Sequence, residues 1–419
     1  MTTAPPSRIR LMMTGAIGNI IEYYDFALFG YLATIIGANF FPSDNPAISV
    51  VAAFGAFAVG AIMRPVGAII FGHIGDAMSR KAVLLLSILM MAIPTALLSI
   101  LPTFAQAGVY APVLLVVLRM VQGLSVGGEF SGSIVYVNES AAPKNKGLMT
   151  AVSTAGGLVG ILLGGVVCYL TTSILGDAVM QSWGWRIPFA LSVIISVTGV
   201  FLRRGLSDSY HPSVEETEFP VLRLWRSHRG TLFAAFGGIL AGTMFFYTLA
   251  VYTVTWLSEQ AGLSTEDSLE ISTISMMAAV FLFIGAGILA DRWGAVRVMR
   301  VGLIVSILAA LPIYFGMSSG NHWFDLGSEI VLFAILGLII IPTYIALVDI
   351  FPASVRSTGL ALSVNIAEGV VGGSMPAILQ FTVMQTGWIL VPPLAILIGS
   401  ALTLLVISTT ATWRRLAAA

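Results

Sequence analysis

The 419-residue chain is 57% hydrophobic and only 10% charged, with no formal net charge. A soluble domain carries roughly a quarter charged residues, so lipid must cover most of this surface, and zero net charge argues against a nucleic-acid partner. Cys168 is the single cysteine, which excludes an intrachain disulfide framework or a Cys-based metal site.

Arg8 and Arg10 lead into a first apolar run too long for a signal-peptide core, with no small-residue cleavage site after it, so no cleavable leader is expected. Runs long enough to cross a bilayer, about 20 residues, fall near 11–37, 48–72, 81–103, 110–138, 147–174, 184–203, 230–258, 268–292, 295–318, 327–350, 356–384 and 387–411. That predicts an all-α membrane protein of twelve spans: a six-helix bundle over 1–203, a cytoplasmic linker over 204–229, and a second bundle over 230–419. With both termini inside, the inside segments hold 17 of the 20 basic residues, and the outside loops hold none. The remaining three are Arg64, Arg119 and Arg186. Arg186 follows Trp183 and Trp185 at a span edge, where a snorkelling arginine is ordinary.

Two loop types occur twice. Gly72-His73-Ile74-Gly75-Asp76 answers Gly287-Ile288-Leu289-Ala290-Asp291, at an offset of 215 residues. Glu139 through Pro143, Lys146 and Gly147 answers Asp349 through Pro352, Arg356 and Gly359, at an offset of 210 between the acids. Two loops repeating at nearly one offset imply parallel six-plus-six repeats about an axis along the membrane normal.

With these loops the chain resembles the major facilitator superfamily over essentially its whole length. Further segments resemble its metabolite–proton symporter family: Gly18-Asn19 through Glu22-Tyr23-Tyr24-Asp25-Phe26, Arg64-Pro65-Val66-Gly67, Arg119 through Gln122-Gly123 to Gly127-Gly128-Glu129, Trp185 through Phe189, and Phe351 through Asn365. The first loop departs from the superfamily pattern, with Ala77 in place of a common Arg and Ser79 in place of a common Gly. The resemblance implies secondary active transport of small polar metabolites coupled to protons: di- and tricarboxylates, shikimate-like acids, aromatic acids, or zwitterions such as proline and betaine. It also implies that spans one, four, seven and ten surround a central path. Osmosensing zwitterion members often carry a C-terminal coiled coil, and the lack of a heptad tail before Ala419 lowers the expectation of that kind.

The residues at membrane depth carry the functional reading. Glu22, Asp25, Arg64, Arg119, Glu129 and Glu368 fall inside spans, where a charge costs roughly 2.5–3.5 kcal/mol at a helix centre. Arg119, Gln122, Glu129 and Ser133 follow a three/four rhythm on one helix face, as do Asn19, Glu22, Tyr23 and Phe26, and Asn365 with Glu368. Such polar stripes look inward, or pair structurally within the bundle. Arg119, Tyr23, Gln122, Asn19, Tyr247 and Asn365 are the expected substrate contacts, with Thr243 weaker. Glu22, Asp25 and Glu129 are the expected proton carriers, Glu22 or Asp25 foremost. Arg64 is expected to gate by pairing with Glu129 or Glu22, or to bind substrate. Asp76 and Asp291 are expected latches at helix–loop junctions, with Arg292, Glu139, Arg356 and Glu368 also in the gate.

No phosphate-cradling Gly-x-x-x-x-Gly-Lys or nucleophile–base pattern occurs, so neither ATP-driven pumping nor enzyme chemistry is expected, and no cofactor or metal. The expectation is a monomeric, multi-pass transporter in a bacterial inner membrane, importing a small organic anion such as a di- or tricarboxylate with protons. The alternatives are a zwitterion or amino-acid symporter, an exporter of a drug- or siderophore-like molecule, and a non-transporting sensor on the same fold.

Overall fold

The computed structural model describes residues 8–204, 206, 208 and 219–418. Among them the chain is helical throughout, without strands. Eleven helices are long and apolar enough to cross a membrane, and a bent pair supplies a twelfth. Span 1 is that pair, Arg8–Tyr31 and Ala33–Phe40, bent by 68°. Spans 2 to 6 are Pro46–Ala77, Arg80–Ile100, Tyr110–Ser140, Lys146–Leu175 and Arg186–Arg204. Span 7 is Pro220–Tyr247 continued through a π-helical turn, Thr248–Tyr252, into Thr253–Glu259. Spans 8 to 10 are Thr265–Trp293, Ala295–Met317 and His322–Ile350. Span 11 is Arg356–Ile366, a π-helical stretch Ala367–Gly372, and Gly373–Thr386. Span 12, Val391–Thr409, is followed by a short helix, Ala411–Ala418.

The duplicated loops correspond to duplicated packing. Span 1 lies on spans 5 and 6, as span 7 lies on 11 and 12. Spans 2 and 3 lie on span 4, as 8 and 9 lie on 10. Between the halves the same pairing recurs, span 5 against 8 and span 11 against 2. Glycine makes the span 2–span 4 contact possible: a Cβ at Gly123 or Gly127 would run into the Gly60 or Arg64 carbonyl oxygen.

The stretch expected to be linker is helical from Pro220 onward, continuous with span 7 and kinked at His228 (φ −128°, ψ 18°). Its first turns are too polar to register as a span, yet Pro220 at the first helical position favours helix initiation. Glu215, Glu216 and Glu218 lie outside the described residues.

One end of the bundle carries Asp76, Arg80, Glu139, Lys146, Asp291 and Arg356, and is called the basic end below. Bonds joining spans 1–6 to spans 7–12 among the described residues run from mid-depth to this end.

Candidate functional site: a mid-depth cavity above a latched end

The two loop acids do the same thing in mirrored places. Asp76, ending span 2, accepts the Ser357 and Thr358 backbone N–H groups at 2.9 and 2.8 Å, at the start of span 11. Asp291, ending span 8, accepts those of Gly147 and Leu148 at 2.6 and 2.9 Å, at the start of span 5. An anion there satisfies orphan amide donors and meets the positive end of the helix dipole.

The rest of the latch differs from expectation. Arg80, which reads as a loop charge in the sequence, is buried and central. It donates to Asp76 (2.6 Å), Glu139 (3.2 Å), the Ser357 hydroxyl (2.9 Å) and the Ala353 carbonyl (2.8 Å). Arg356 reaches Glu139 from the other half at 2.7 Å, and Lys146 reaches Asp349 at 2.8 Å. Arg292, expected in the gate, is exposed and stands outside this network. The reinforced latch is thus the first, because Arg80 supplies the guanidinium that its own loop lacks at Ala77.

At mid-depth, acids and arginines sort into pairs. Asp25 meets Arg119 at 2.6 Å and also accepts from Gln122 and Thr95. The Arg119 guanidinium stacks 3.9 Å from the Phe29 ring centre. Glu129 takes two bonds from Arg203, at 2.5 and 2.9 Å, and one from the Ser87 hydroxyl. Glu368 meets Arg64 at 2.9 Å across the two halves and accepts the Tyr344 hydroxyl at 3.0 Å. Arg64 also donates to Asn365 at 3.1 Å, and the Asn365 amide returns a bond to the Gly127 carbonyl at 2.9 Å. Arg64 therefore pairs with Glu368 rather than with Glu129 or Glu22. Arg203 was missed in the sequence because it ends a span, where a basic residue reads as interfacial.

Glu22 is left over. It is 1% exposed, both carboxyl oxygens lack a hydrogen-bond partner, and Arg64, Glu368, Glu129 and Asp25 are its charged neighbours.

A narrow cavity of about 30 Å³ is lined by Tyr23, Phe130, Thr154, Phe246, Tyr247, Phe283, Tyr344 and Glu368, with Thr243, Gly157, Leu158 and Ile340. Tyr247 packs on Gly372 at the π-helical stretch of span 11, and Arg64 lies beside Tyr247 and Tyr23. Of the expected substrate contacts, Tyr23 and Tyr247 line this cavity and Asn365 stands behind it. Arg119 and Gln122 do not; they face a separate small void within the first half. Asn19 is spent on packing spans 1, 4 and 5 together, donating to the Ser153 carbonyl at 2.7 Å and to the Ser133 hydroxyl at 3.3 Å. Phe130, Phe246 and Phe283 were not legible as site residues, since an aromatic on an apolar helix carries no mark of the face it takes.

The profile of the Major Facilitator Superfamily matches residues 15–376. The ectoine/proline transporter ProP of Corynebacterium glutamicum is 31% identical over 96% of this chain and 84% of its own length. The shikimate transporter of Escherichia coli (strain K12) is 31% identical over 89% and 87%, and the proline/betaine transporter of that strain 28% identical over 94% and 81%. Among solved structures, the superfamily transporter FucP in its outward conformation superposes with a TM-score of 0.75 at 16% identity, over 95% of this chain and 97% of that one. Spans paired in two matching sets of six, latch acids repeated at one end and a profile match over most of the length agree: the chain belongs to the major facilitator superfamily and is a secondary transporter, not an enzyme.

Proposed function

We propose that the protein is a proton symporter for a compact zwitterion of the proline, betaine or ectoine kind, working as a monomer in a bacterial inner membrane with its basic end in the cytoplasm. The cavity carries this reading. Half of its lining residues are aromatic, Glu368 is its one carboxylate, and Arg64 is bonded to that carboxylate. A ring-lined pocket suits a substituted ammonium through cation–π attraction. Arg64 offers a fork for the carboxylate of the same molecule. A di- or tricarboxylate needs surplus positive charge, and the other two buried arginines at this depth are committed, Arg119 to Asp25 and Arg203 to Glu129. The relatives named for ectoine, proline and betaine support the zwitterion over the organic anion expected from the sequence. The relative named for shikimate keeps a hydroxylated monocarboxylate as the second reading.

Arg64–Glu368 ties span 2 to span 11, so a substrate carboxylate that takes Arg64 loosens a bond between the halves. Glu22 supplies the proton site, because an ionised carboxylate without partners is costly in such surroundings and the protonated form is not. Orientation rests on the basic residues gathered at the latched end.

The test is uptake into proteoliposomes with an alkaline interior. Labelled proline, glycine betaine and ectoine are expected to accumulate, more so when the outside is acidified, and to compete with one another. Accumulation of citrate, succinate or shikimate while the zwitterions neither enter nor compete would overturn the substrate class. Net loss of preloaded zwitterion under the same gradient would make the protein an exporter.

A further inference from the structure

The end of the bundle opposite the latch contains an acidic pair with no lysine or arginine partner among the described residues. Asp325 and Glu329 stand one helical turn apart near the start of span 10, so their side chains are neighbours at roughly 5–6 Å between Cβ atoms. Both are fully buried. Neither oxygen of Asp325 has a partner; on Glu329, Oε1 accepts the Ser272 hydroxyl of span 8 at 3.2 Å and Oε2 has none. Ser275, one turn deeper on span 8, is also buried with an unpartnered hydroxyl.

The surrounding elements bring titratable groups but little positive charge. Span 9 contributes Tyr314, whose hydroxyl is engaged with Thr253 of span 7 at 2.9 Å, and the π-helical turn of span 7 contributes Tyr252 nearby. Span 8 contributes Asp267, which lies 3.6 Å from His322 Nδ1. His322 itself is one turn before Asp325 and partly exposed. Among the described residues no lysine or arginine is ion-paired with either acid.

Two ionised carboxylates cannot share such a site without a cation. An alkali ion needs several converging oxygens held at fixed distances. A proton needs only one oxygen. We propose that Asp325 and Glu329 form a second proton-binding site, distinct from Glu22 and the substrate cavity. It lies wholly within spans 8 to 10, so it can load without movement of one half against the other. His322, Asp325 and Glu329 follow a three/four spacing down one helix face, from the partly exposed His322 inward, so the proposed site is nearest the compartment beyond that end, the outside in the proposed orientation.

Infrared difference spectroscopy of the full-length protein in nanodiscs reads the proton directly, as the carbonyl stretch of a protonated carboxyl group that shifts in deuterium oxide. The expected result at neutral pH is a band kept in Glu22→Gln and lost in Asp325→Asn/Glu329→Gln. Should the double variant not fold, Glu329→Gln and Asp325→Asn alone are each expected to diminish that band. A spectrum unchanged by these variants means both acids are ionised and overturns the proposal. So does sodium, in place of potassium, raising the melting temperature of the wild type but not of Glu329→Gln, which would make the site an alkali-ion site. Because the readout needs no transport, it fails or succeeds independently of the substrate assignment.

Discussion

An ionised carboxylate buried beside an arginine is compensated by its partner, whereas one buried alone costs several kcal/mol. Asp25, Glu129 and Glu368 are of the first kind, held by Arg119, Arg203 and Arg64, and Glu22 is of the second. The sequence marks all four acids as candidates through their depth, but not which one is free, because pairing is decided by residues far along the chain. Arg203 is 74 positions from Glu129, and Arg64 is 304 from Glu368. Of these four, Glu22 is the one that can gain or lose a proton without breaking an ion pair. Glutamine there reproduces the protonated state permanently. In Glu22→Gln, exchange of labelled for unlabelled substrate is expected to persist at near wild-type rate, while accumulation against a gradient falls at least tenfold. Retained accumulation would assign the coupling proton to another group.

At the scale of elements, the latches are helix starts answered by carboxylates. An anion at a helix N-terminus is worth about 0.3–1 kcal/mol when exposed and up to about 2 when partly buried. Asp76 has in addition Arg80, fixed between Glu139, Ser357 and Ala353; Asp291 has the two backbone donors. The repeated loops made both acids legible. Arg80 was not, since a base just beyond a span is also what an ordinary solvated loop offers. The π-helical breaks in spans 7 and 11 were not legible either: one extra residue in a turn leaves the apolar composition untouched, yet these breaks lie beside Tyr247 and Glu368 at the cavity. The unequal latches set an order. Asp291→Asn is expected to raise the reactivity of a cysteine placed at Ala151, under the span 5–span 8 crossing, by several fold, as the basic end opens more often. Asp76→Asn is expected to do more, because it also leaves Arg80 buried without its nearest acid. Equal effects, read as alkylation rates in membranes, would remove the asymmetry.

Over the whole molecule, the two halves share one fold but not one chemistry, and both facts bear on how it moves. The pairing of spans 5 with 8 and 2 with 11 is symmetric, so the halves can rock about a common axis. The mid-depth charges are not: Glu22, Asp25, Arg64, Arg119, Glu129 and Arg203 belong to the first half, and Glu368 answers from the second. Repeat symmetry was visible in the loops because loops obey the same helix-end chemistry in both copies. The charge asymmetry was visible in the spans because a charge in an apolar run cannot hide. What the linear chain could not show is that the only charged contact between halves at mid-depth among the described residues is Arg64–Glu368, directly beside the cavity. In the proposed cycle, substrate binding and opening of the basic end share one path: the cavity bond yields first, then the latches. If that is so, fixing the latched end must stop transport without stopping binding. Lys146 and Asp349 face each other there across the halves at 2.8 Å and are both partly exposed, whereas Cys168, the only native cysteine, is buried. In Lys146→Cys/Asp349→Cys, a short bifunctional thiol reagent is expected to abolish uptake in proteoliposomes while equilibrium binding of substrate in detergent stays within about twofold of the untreated protein, a change of roughly 0.4 kcal/mol. Each single variant treated alike should transport normally. Full uptake by the cross-linked protein would mean that the basic end does not have to open, and the sequence of release drawn from Arg64 outward would be wrong.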